Sequence, residues 1–152
     1  MKVVIQRVIT ASVEIEGAIY SSIHNGLLVL LGISVDDEKE DVDSLCKKIV
    51  GLRIFSDENG LMNLSVKEIN GQILLVSQFT LYGDANKGNR PSFIHAARPE
   101  KAIPLYEYFI QQLNMNDIVV CTGKFGADMK VSLTNDGPVT IIIDSKKQTN
   151  DH

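Results

Sequence analysis

The run from Leu27 to Ile33 is the feature that most limits how this chain can fold. It is almost entirely aliphatic and follows the turn dipeptide Asn25-Gly26. A short apolar run without alternating polar residues indicates a strand that is buried on both faces, as at the centre of a layered sheet. The rest of the chain must therefore cover both sides of this strand.

Two segments with a helical pattern could cover the faces of this strand. Apolar residues at three- and four-residue spacing, with acidic residues at the start, predict an amphipathic helix from about Glu38 to Arg53. A second apolar stripe predicts a helix over 99–114. Its regular part should begin near Ala102 to Pro104, because proline does not fit deep inside a helix. The acidic residues over 36–43 are interpreted as helix capping and a solvated face, rather than as a metal site.

The other apolar segments are typical of strands. Turn residues separate them, and Asp57 to Gly60 predicts a hairpin-type turn rather than a calcium loop. The order of elements predicts an α+β fold with two main helices on a mixed or mainly antiparallel sheet. The predicted strands are 3–5 with 8–15, a return strand from 18, 27–33, 73–79, 118–121, 130–134 and 139–144, the last two joined by a turn at 135–138.

Length and composition bound the class of protein. A chain of 152 residues, 44% apolar and 22% charged, predicts one globular domain over 1–145, followed by a flexible polar tail over 146–152. The net charge of −4 argues against a protein that wraps nucleic acid, and DNA is not an expected partner. A small contact with an RNA end stays open.

Cysteine usage and hydropathy predict a cytoplasmic protein. Cys46 and Cys121 are far apart in sequence and form no disulfide or metal motif. No apolar run approaches the roughly 20 residues of a membrane span, and no signal-peptide pattern begins the chain. We expect no membrane partner, no metal and no cofactor.

The most suggestive polar segment is Ser77-Gln78-Phe79-Thr80, at the end of a predicted buried strand. Polar ends of strands often carry chemistry. The loop that follows is locally basic through Lys87 and Arg90, which could contact phosphate. Arg7, among apolar neighbours, is either a solvated residue on a strand face or a buried arginine that needs a hydrogen-bonding partner.

No familiar catalytic motif is present. The sequence has no HExxH, GxSxG, P-loop or dinucleotide fingerprint. An enzyme built from this chain would therefore rely on positioning an already reactive substrate, such as an activated ester, and on backbone N–H groups that stabilise an oxyanion.

An ordered set of motifs resembles the D-aminoacyl-tRNA deacylase family over about residues 1–144. No single motif is decisive, and the specificity comes from their order. The motifs are Ser77 to Thr80, Gly83-Asp84, Lys87-Gly88, Arg90 to Phe93, Phe125 to Met129 and Asn135 to Thr140.

The resemblance implies a barrel-like, homodimeric hydrolase that cleaves the ester between a D-amino acid and the terminal adenosine of tRNA. It also implies action on glycine mischarged on tRNA-Ala. Ser77 to Thr80 would line the catalytic pocket, and Phe125 and Met129 would lie near the adenine. In the family a cis Gly-Pro dipeptide enters the partner subunit's site and an arginine fixes it, which corresponds to Gly137, Pro138 and Arg7.

Two alternatives remain at this point. The attacking group is either Thr80 or a water molecule assisted by the 2′-hydroxyl of the substrate; we favour water, because no base adjoins Thr80 in the sequence. The chain is either the hydrolase or a non-catalytic module that binds an RNA end or a nucleotide, because fold alone does not determine function.

Overall fold

The structure, a computed structural model, describes residues 1–146. It confirms the α+β class, with two α-helices and a mixed sheet. The elements are β1 Lys2–Ile15, β2 Ala18–Ile23, β3 Gly26–Gly32, α1 Lys39–Gly51, β4 Phe55–Ser56, β5 Met62–Leu64, β6 Gln72–Ser77, a 3-10 helix Phe79–Tyr82, α2 Pro99–Asn114, β7 Val119–Thr122 and β8 Lys130–Asp144.

Strand β1 organises the sheet. Along one edge it pairs antiparallel with β3 and then with β2, and along its other edge it pairs antiparallel with β8. Strands β3, β6 and β7 continue the sheet in parallel. The sheet curls until β2 meets β7, where Ser21 Oγ donates a hydrogen bond to the Thr122 carbonyl at 2.8 Å. The result is the predicted barrel-like, nearly closed sheet.

The aliphatic strand β3 is buried on both faces, as predicted. Leu27, Val29 and Leu31 belong to a core that also contains the inner faces of α1 and α2. Leu28 points the other way, into a second apolar cluster inside the barrel. Because successive strand residues point to opposite faces, one strand serves both cores.

Helix α1 begins with a capping box. Glu38 is the N-cap, and its side chain and that of Asp41 bond reciprocally to each other's backbone N–H groups. The capping interpretation of these acids is confirmed, but Asp37 and Asp41 are buried, so the expectation of a solvated face is wrong for these two residues. Asp37 has a further role, because its fully buried carboxylate lies 2.8 Å from the Met1 ammonium.

Residues near the end of the described chain complete this polar cluster. Burial by itself would raise the pKa of Asp41. Hydrogen bonds with Ser145, the Glu38 N–H and Lys146 have the larger combined effect, so the pKa of Asp41 is lowered. Lys146 Nζ lies 3.1 Å from Asp41 Oδ2. Apart from Lys146, the predicted tail over 146–152 lies outside the described residues.

Helix α2 spans Pro99–Asn114, as the apolar stripe predicted. It is helical from Pro99 and includes Pro104, so the expectation that its regular part begins near Ala102 to Pro104 is wrong. Pro104 is exposed and has no N–H to donate. The helical partner of that N–H would be the Glu100 carbonyl, which lies in the exposed first turn. Water can bind that carbonyl, so the helix tolerates the proline.

The predicted turn at 135–138 does not reverse the chain. Gln6 pairs with Thr140 and Val8 pairs with Asn135, so β8 continues in one direction on both sides. Residues 136–139 therefore stand opposite Arg7 alone and form a bulge, which we call the 136–139 bulge. The Asn135 side chain accepts a hydrogen bond from the Val139 N–H at 3.1 Å and replaces a lost ladder bond. The turn-type residues here form a bulge within a single strand. The prediction of two strands, 130–134 and 139–144, joined by a turn is therefore wrong.

The turn after β4 and the two cysteines are also visible in the structure. The Asp57 carboxylate accepts hydrogen bonds from the Asn59 and Leu61 N–H groups in the β4–β5 hairpin turn, which is not a calcium loop. Cys46 and Cys121 are free thiols. Over residues 1–146, no group of three or more potential ligands is placed to hold a metal ion. In the same span, no helix is both long and apolar enough to cross a membrane.

Candidate active site

The Ser77–Thr80 segment lies where β6 ends, beside the parallel strand β3. The sequence predicted a strand through Phe79, but β6 stops at Ser77. The Gln78 N–H donates to the Leu31 carbonyl at 2.7 Å, and the chain then turns into the 3-10 helix Phe79–Tyr82. The polar segment therefore changes direction at the carboxyl ends of parallel strands, where α/β folds place ligands.

A cavity of about 260 Å³ opens at this point. It brings the segment after β7 against the end of β6, although the two are almost fifty residues apart. Of the predicted site residues, five line it together; Thr80 adjoins the cavity without lining it. The lining residues are Val76, Ser77, Gln78, Phe79, Phe125, Gly126, Ala127, Met129 and Val131.

The cavity offers polar groups but no acid or base. None of the nine lining residues in this described part of the chain carries a titratable side chain. Across residues 1–146, no protein group accepts a hydrogen bond from the backbone N–H of Phe79 or Thr80. The Thr80 hydroxyl accepts a hydrogen bond from the Gln78 amide, which is a donor and not a base. Such a site can hold an oxyanion but cannot easily activate a hydroxyl nucleophile.

Sequence reasoning missed the apolar part of the lining. Val76 and Val131 belong to, or pack against, the cluster inside the barrel, so the cavity continues that core. Tyr106 of α2 packs behind Phe125, with ring centroids 5.9 Å apart. Burial raises the pKa of Tyr106 to about 12, so it remains a neutral donor, and its hydroxyl lies 3.3 Å from the Leu75 carbonyl. The available signals were the unbroken apolar run of β6 for Val76 and the alternation of apolar and polar residues at the start of β8 for Val131.

Arg7, Gly137 and Pro138 form a second cluster, which does not line this cavity. Arg7 Nη1 donates to the Ile54 carbonyl at 2.7 Å, and Arg7 Nε donates to the Asp136 carbonyl at 3.2 Å. Its side chain is 12% exposed, so Arg7 is the buried arginine with partners and not a solvated one. Gly137 and Pro138 are exposed at the tip of the 136–139 bulge, and the bond between them is cis.

Lys87 and Arg90 lie on an exposed loop. Asp84 and Ser92 exchange two backbone hydrogen bonds of 2.8 Å, which close this loop at its base. Neither basic residue lines the 260 Å³ cavity. The predicted contact of Lys87 and Arg90 with substrate would therefore involve a part of the substrate that lies outside the cavity.

A larger cavity of about 480 Å³ is lined in part by Tyr82, the last residue of the 3-10 helix. It is rich in charge of both signs. Asp36, Asp84 and Asp144 face it together with Lys2, Lys146 and His95. The three carboxylates outnumber the two lysines, so the lining carries a net negative charge that disfavours a phosphate-bearing ligand. The smaller, uncharged cavity is the better candidate for a site that positions an ester.

Known proteins of similar sequence show the family to which this chain belongs. The profile of a family described as D-Tyr-tRNA(Tyr) deacylase matches residues 4–144. A D-aminoacyl-tRNA deacylase from Cytophaga hutchinsonii is 62% identical over 152 residues, covering 97% of this chain and 99% of that protein. Those from Flavobacterium psychrophilum and Thermosipho africanus are 60% and 58% identical, with the same coverage.

Two solved structures have a fold similar to that of this chain. The structure titled c-Myc DNA Unwinding Element Binding Protein superposes with a TM-score of 0.91 at 43% identity, covering 97% of this chain and all of that one. A probable eukaryotic D-amino acid tRNA deacylase superposes with a TM-score of 0.79 at 18% identity, covering 93% and 97%. At that identity the second structure supports the fold alone.

The chain therefore belongs to the D-Tyr-tRNA(Tyr) deacylase family. The family predicted from the ordered motifs is confirmed, and so is its enzyme class, a hydrolase of carboxylic esters.

Proposed function

We propose that this protein hydrolyses the ester bond between a D-amino acid and the terminal adenosine of tRNA, releasing the free amino acid and the tRNA. The observation that supports this most is the uncharged cavity beside two unpaired backbone N–H groups, those of Phe79 and Thr80. An aminoacyl ester is already reactive, so positioning and charge stabilisation are sufficient for its hydrolysis.

In the proposed reaction, water attacks the ester carbonyl carbon and forms a tetrahedral intermediate. The Phe79 and Thr80 N–H groups donate hydrogen bonds to its oxyanion, while Ser77 and Gln78 line the same wall. The bond from carbon to the 3′-oxygen of the ribose then breaks. The 2′-hydroxyl of the substrate accepts the proton of the water and passes a proton to the departing 3′-oxygen. No protein side chain changes its protonation state.

The nucleotide is proposed to occupy the far side of the cavity. Phe125 and Met129, which line it, would contact the adenine. Lys87 and Arg90, on the exposed loop, would contact phosphates nearer the body of the tRNA. A local basic contact of this kind is compatible with a net charge of −4.

The protein is further proposed to act as a homodimer. Gly137 and Pro138 of one subunit would then close the cavity of the other, and a two-fold axis would produce two such sites. The exposed position of Gly137 and Pro138 supports this arrangement. In the described part of the sheet β8 pairs only with β1, which leaves its outer edge open to a partner.

A rigid backbone gate explains selection by chirality. The side chain of an L-amino acid would collide with the Gly137-Pro138 backbone, whereas that of a D-amino acid would point away. Glycine has no side chain to reject, so glycine mischarged on tRNA-Ala should also be a substrate. Rejection by collision requires no contact with the accepted side chain, and many D-amino acids should therefore be hydrolysed.

The direct test compares D-tyrosyl-tRNA, L-tyrosyl-tRNA and glycyl-tRNA-Ala. We expect rapid ester loss from the first and third and little from the second, measured as the release of labelled amino acid. Equal rates on the two tyrosyl-tRNAs would exclude the steric gate. Hydrolysis of none would favour the non-catalytic module that binds an RNA end or a nucleotide.

Thr80→Ala is expected to retain most of the activity, with kcat within about tenfold of the parent enzyme. Removal of a true nucleophile commonly costs roughly 10⁴-fold or more. The Thr80 hydroxyl receives a hydrogen bond from Gln78 and has no base beside it, so its loss should only loosen that amide. Single-turnover deacylation of D-tyrosyl-tRNA measures the effect, with the exposed Thr10→Ala as control. A loss of several thousandfold would instead assign the attack to Thr80.

A further inference from the structure

The aromatic ring of Phe93 lies outside the candidate site and packs against the 3-10 helix that carries part of that site. Phe93 packs against Phe79, with ring centroids 5.2 Å apart and the planes inclined at 69°. Edge-to-face aromatic pairs of this kind are stabilising beyond their buried area. Phe79 lines the cavity, whereas Phe93 does not.

The same ring also contacts the other end of the 3-10 helix. A Cβ atom on Gly83 would lie only 3.0 Å from Phe93 Cε1, so the Phe93 ring rests directly on the Gly83 backbone. Gly83 closes the helix by donating its N–H to the Thr80 carbonyl at 2.9 Å. One ring therefore contacts both the first residue of the helix and the residue that ends it.

The backbone around Phe93 is itself anchored. Ser92 exchanges two hydrogen bonds with Asp84 on one side, and the Ala97 N–H donates to the Ile33 carbonyl at 2.9 Å on the other. The Phe93 carbonyl accepts a hydrogen bond from the Ala96 N–H at 3.1 Å. Phe93 is thus fixed relative to the end of β3 and can transmit that rigidity to Phe79.

We propose that Phe93 is a positioning residue of the deacylation reaction. It holds the Phe79 ring as a wall of the cavity, and with it the Phe79 and Thr80 N–H groups that face the oxyanion. This inference rests on the proposed function of the cavity. Phe93 is 38% exposed, so it is not a core residue, and its replacement should leave the protein folded.

Phe93→Leu should lower kcat at least about tenfold with a smaller change in KM, because small displacements of catalytic groups cost large factors in rate. Phe93→Tyr, which keeps the ring, should restore activity close to that of the parent enzyme. The adjacent Ile94 is 76% exposed and provides a matched control. Ile94→Ala should leave kcat unchanged; an equal loss in this variant would overturn the proposal.

The substrate should be varied at the same time. D-tyrosyl-tRNA and the small ester 3′-O-D-tyrosyl-adenosine should lose kcat by the same factor in Phe93→Leu. A loss confined to the tRNA would mean that Phe93 contacts RNA outside the cavity, and it would overturn the positioning role. If the parent enzyme hydrolyses neither D-ester, the proposed function itself fails, which is a different outcome.

A measurement without substrate completes the test. The chain has five phenylalanines, so fluorophenylalanine labelling should give five fluorine NMR signals, and Phe79→Leu identifies the one from Phe79. In Phe93→Leu that signal should move toward the position of the free amino acid, as the ring gains mobility. An unchanged Phe79 signal together with an unchanged kcat would refute the proposal.

Discussion

Gly137→Ala should reduce kcat/KM for D-aminoacyl-tRNA by about 100-fold, because the backbone of the proposed gate would have to move by a distance that catalysis does not tolerate. A Cβ atom at this position would lie 2.7 Å from Val139 Cγ2 and 3.0 Å from Arg7 Nη2. The φ angle of 127° is also one that residues with side chains rarely adopt. Steric conflict and backbone strain therefore act together on the 136–139 bulge.

The matched control is Gly60→Ala. Gly60 also has a positive φ, of 77°, but no atom lies within 4 Å of a Cβ atom placed there, and no residue of its hairpin lines the 260 Å³ cavity. Both variants carry backbone strain, of the order of 1–3 kcal/mol, so both should unfold at a somewhat lower temperature. Only Gly137→Ala should lose activity. Unchanged activity and unchanged discrimination between D- and L-tyrosyl-tRNA would contradict the gate assignment.

Arg7→Lys should weaken both folding and discrimination. Arg7 donates to the Ile54 and Asp136 carbonyls from two different nitrogens, and a single ammonium cannot reproduce both bonds. One partly buried carbonyl would lose its partner, at a cost of about 1–3 kcal/mol in the free energy of unfolding. For a protein of this size, that corresponds to a decrease in Tm of roughly 2–12 °C.

Arg7→Lys should also change the activity of the enzyme. Without the guanidinium against Gly137, the 136–139 bulge gains freedom to move. We expect at least about a tenfold decrease in kcat/KM for D-tyrosyl-tRNA and a relative rise in hydrolysis of L-tyrosyl-tRNA, since positioning is lost. Arg53→Lys serves as control, because Arg53 Nε makes an exposed bond to the Asn63 carbonyl. A lower Tm with an unchanged D/L ratio would limit Arg7 to a structural role.

The elements that the sequence predicted well are those whose patterns are local. The unbroken aliphatic run of β3 indicated burial on both faces, and the structure places its residues in two cores. The acids before α1 indicated a capped N-terminus, and Glu38 and Asp41 form a capping box. In each case the cause lies within a few residues, so periodicity and residue type are sufficient.

The predictions that failed depended on what a segment packs against. Asn135 to Pro138 has the composition of a turn, but both flanking segments pair antiparallel with β1, and the shift in register between them is taken up by the 136–139 bulge. Pro104 should have delayed the start of α2, but an exposed face tolerates it. Composition states what a segment can adopt locally, and long-range pairing selects among those possibilities.

The sequence by itself determined the family, through motifs whose order is specific. It also singled out the polar segment Ser77 to Thr80 as a candidate part of the site. Only the tertiary structure decided that Phe125 to Met129 meets that segment around one cavity, that Arg7 is buried against the 136–139 bulge, and that Phe93 braces Phe79. The physical reason is that side-chain type and spacing report the local environment of a residue. Which distant segments touch is set by strand register and by the packing of the two cores.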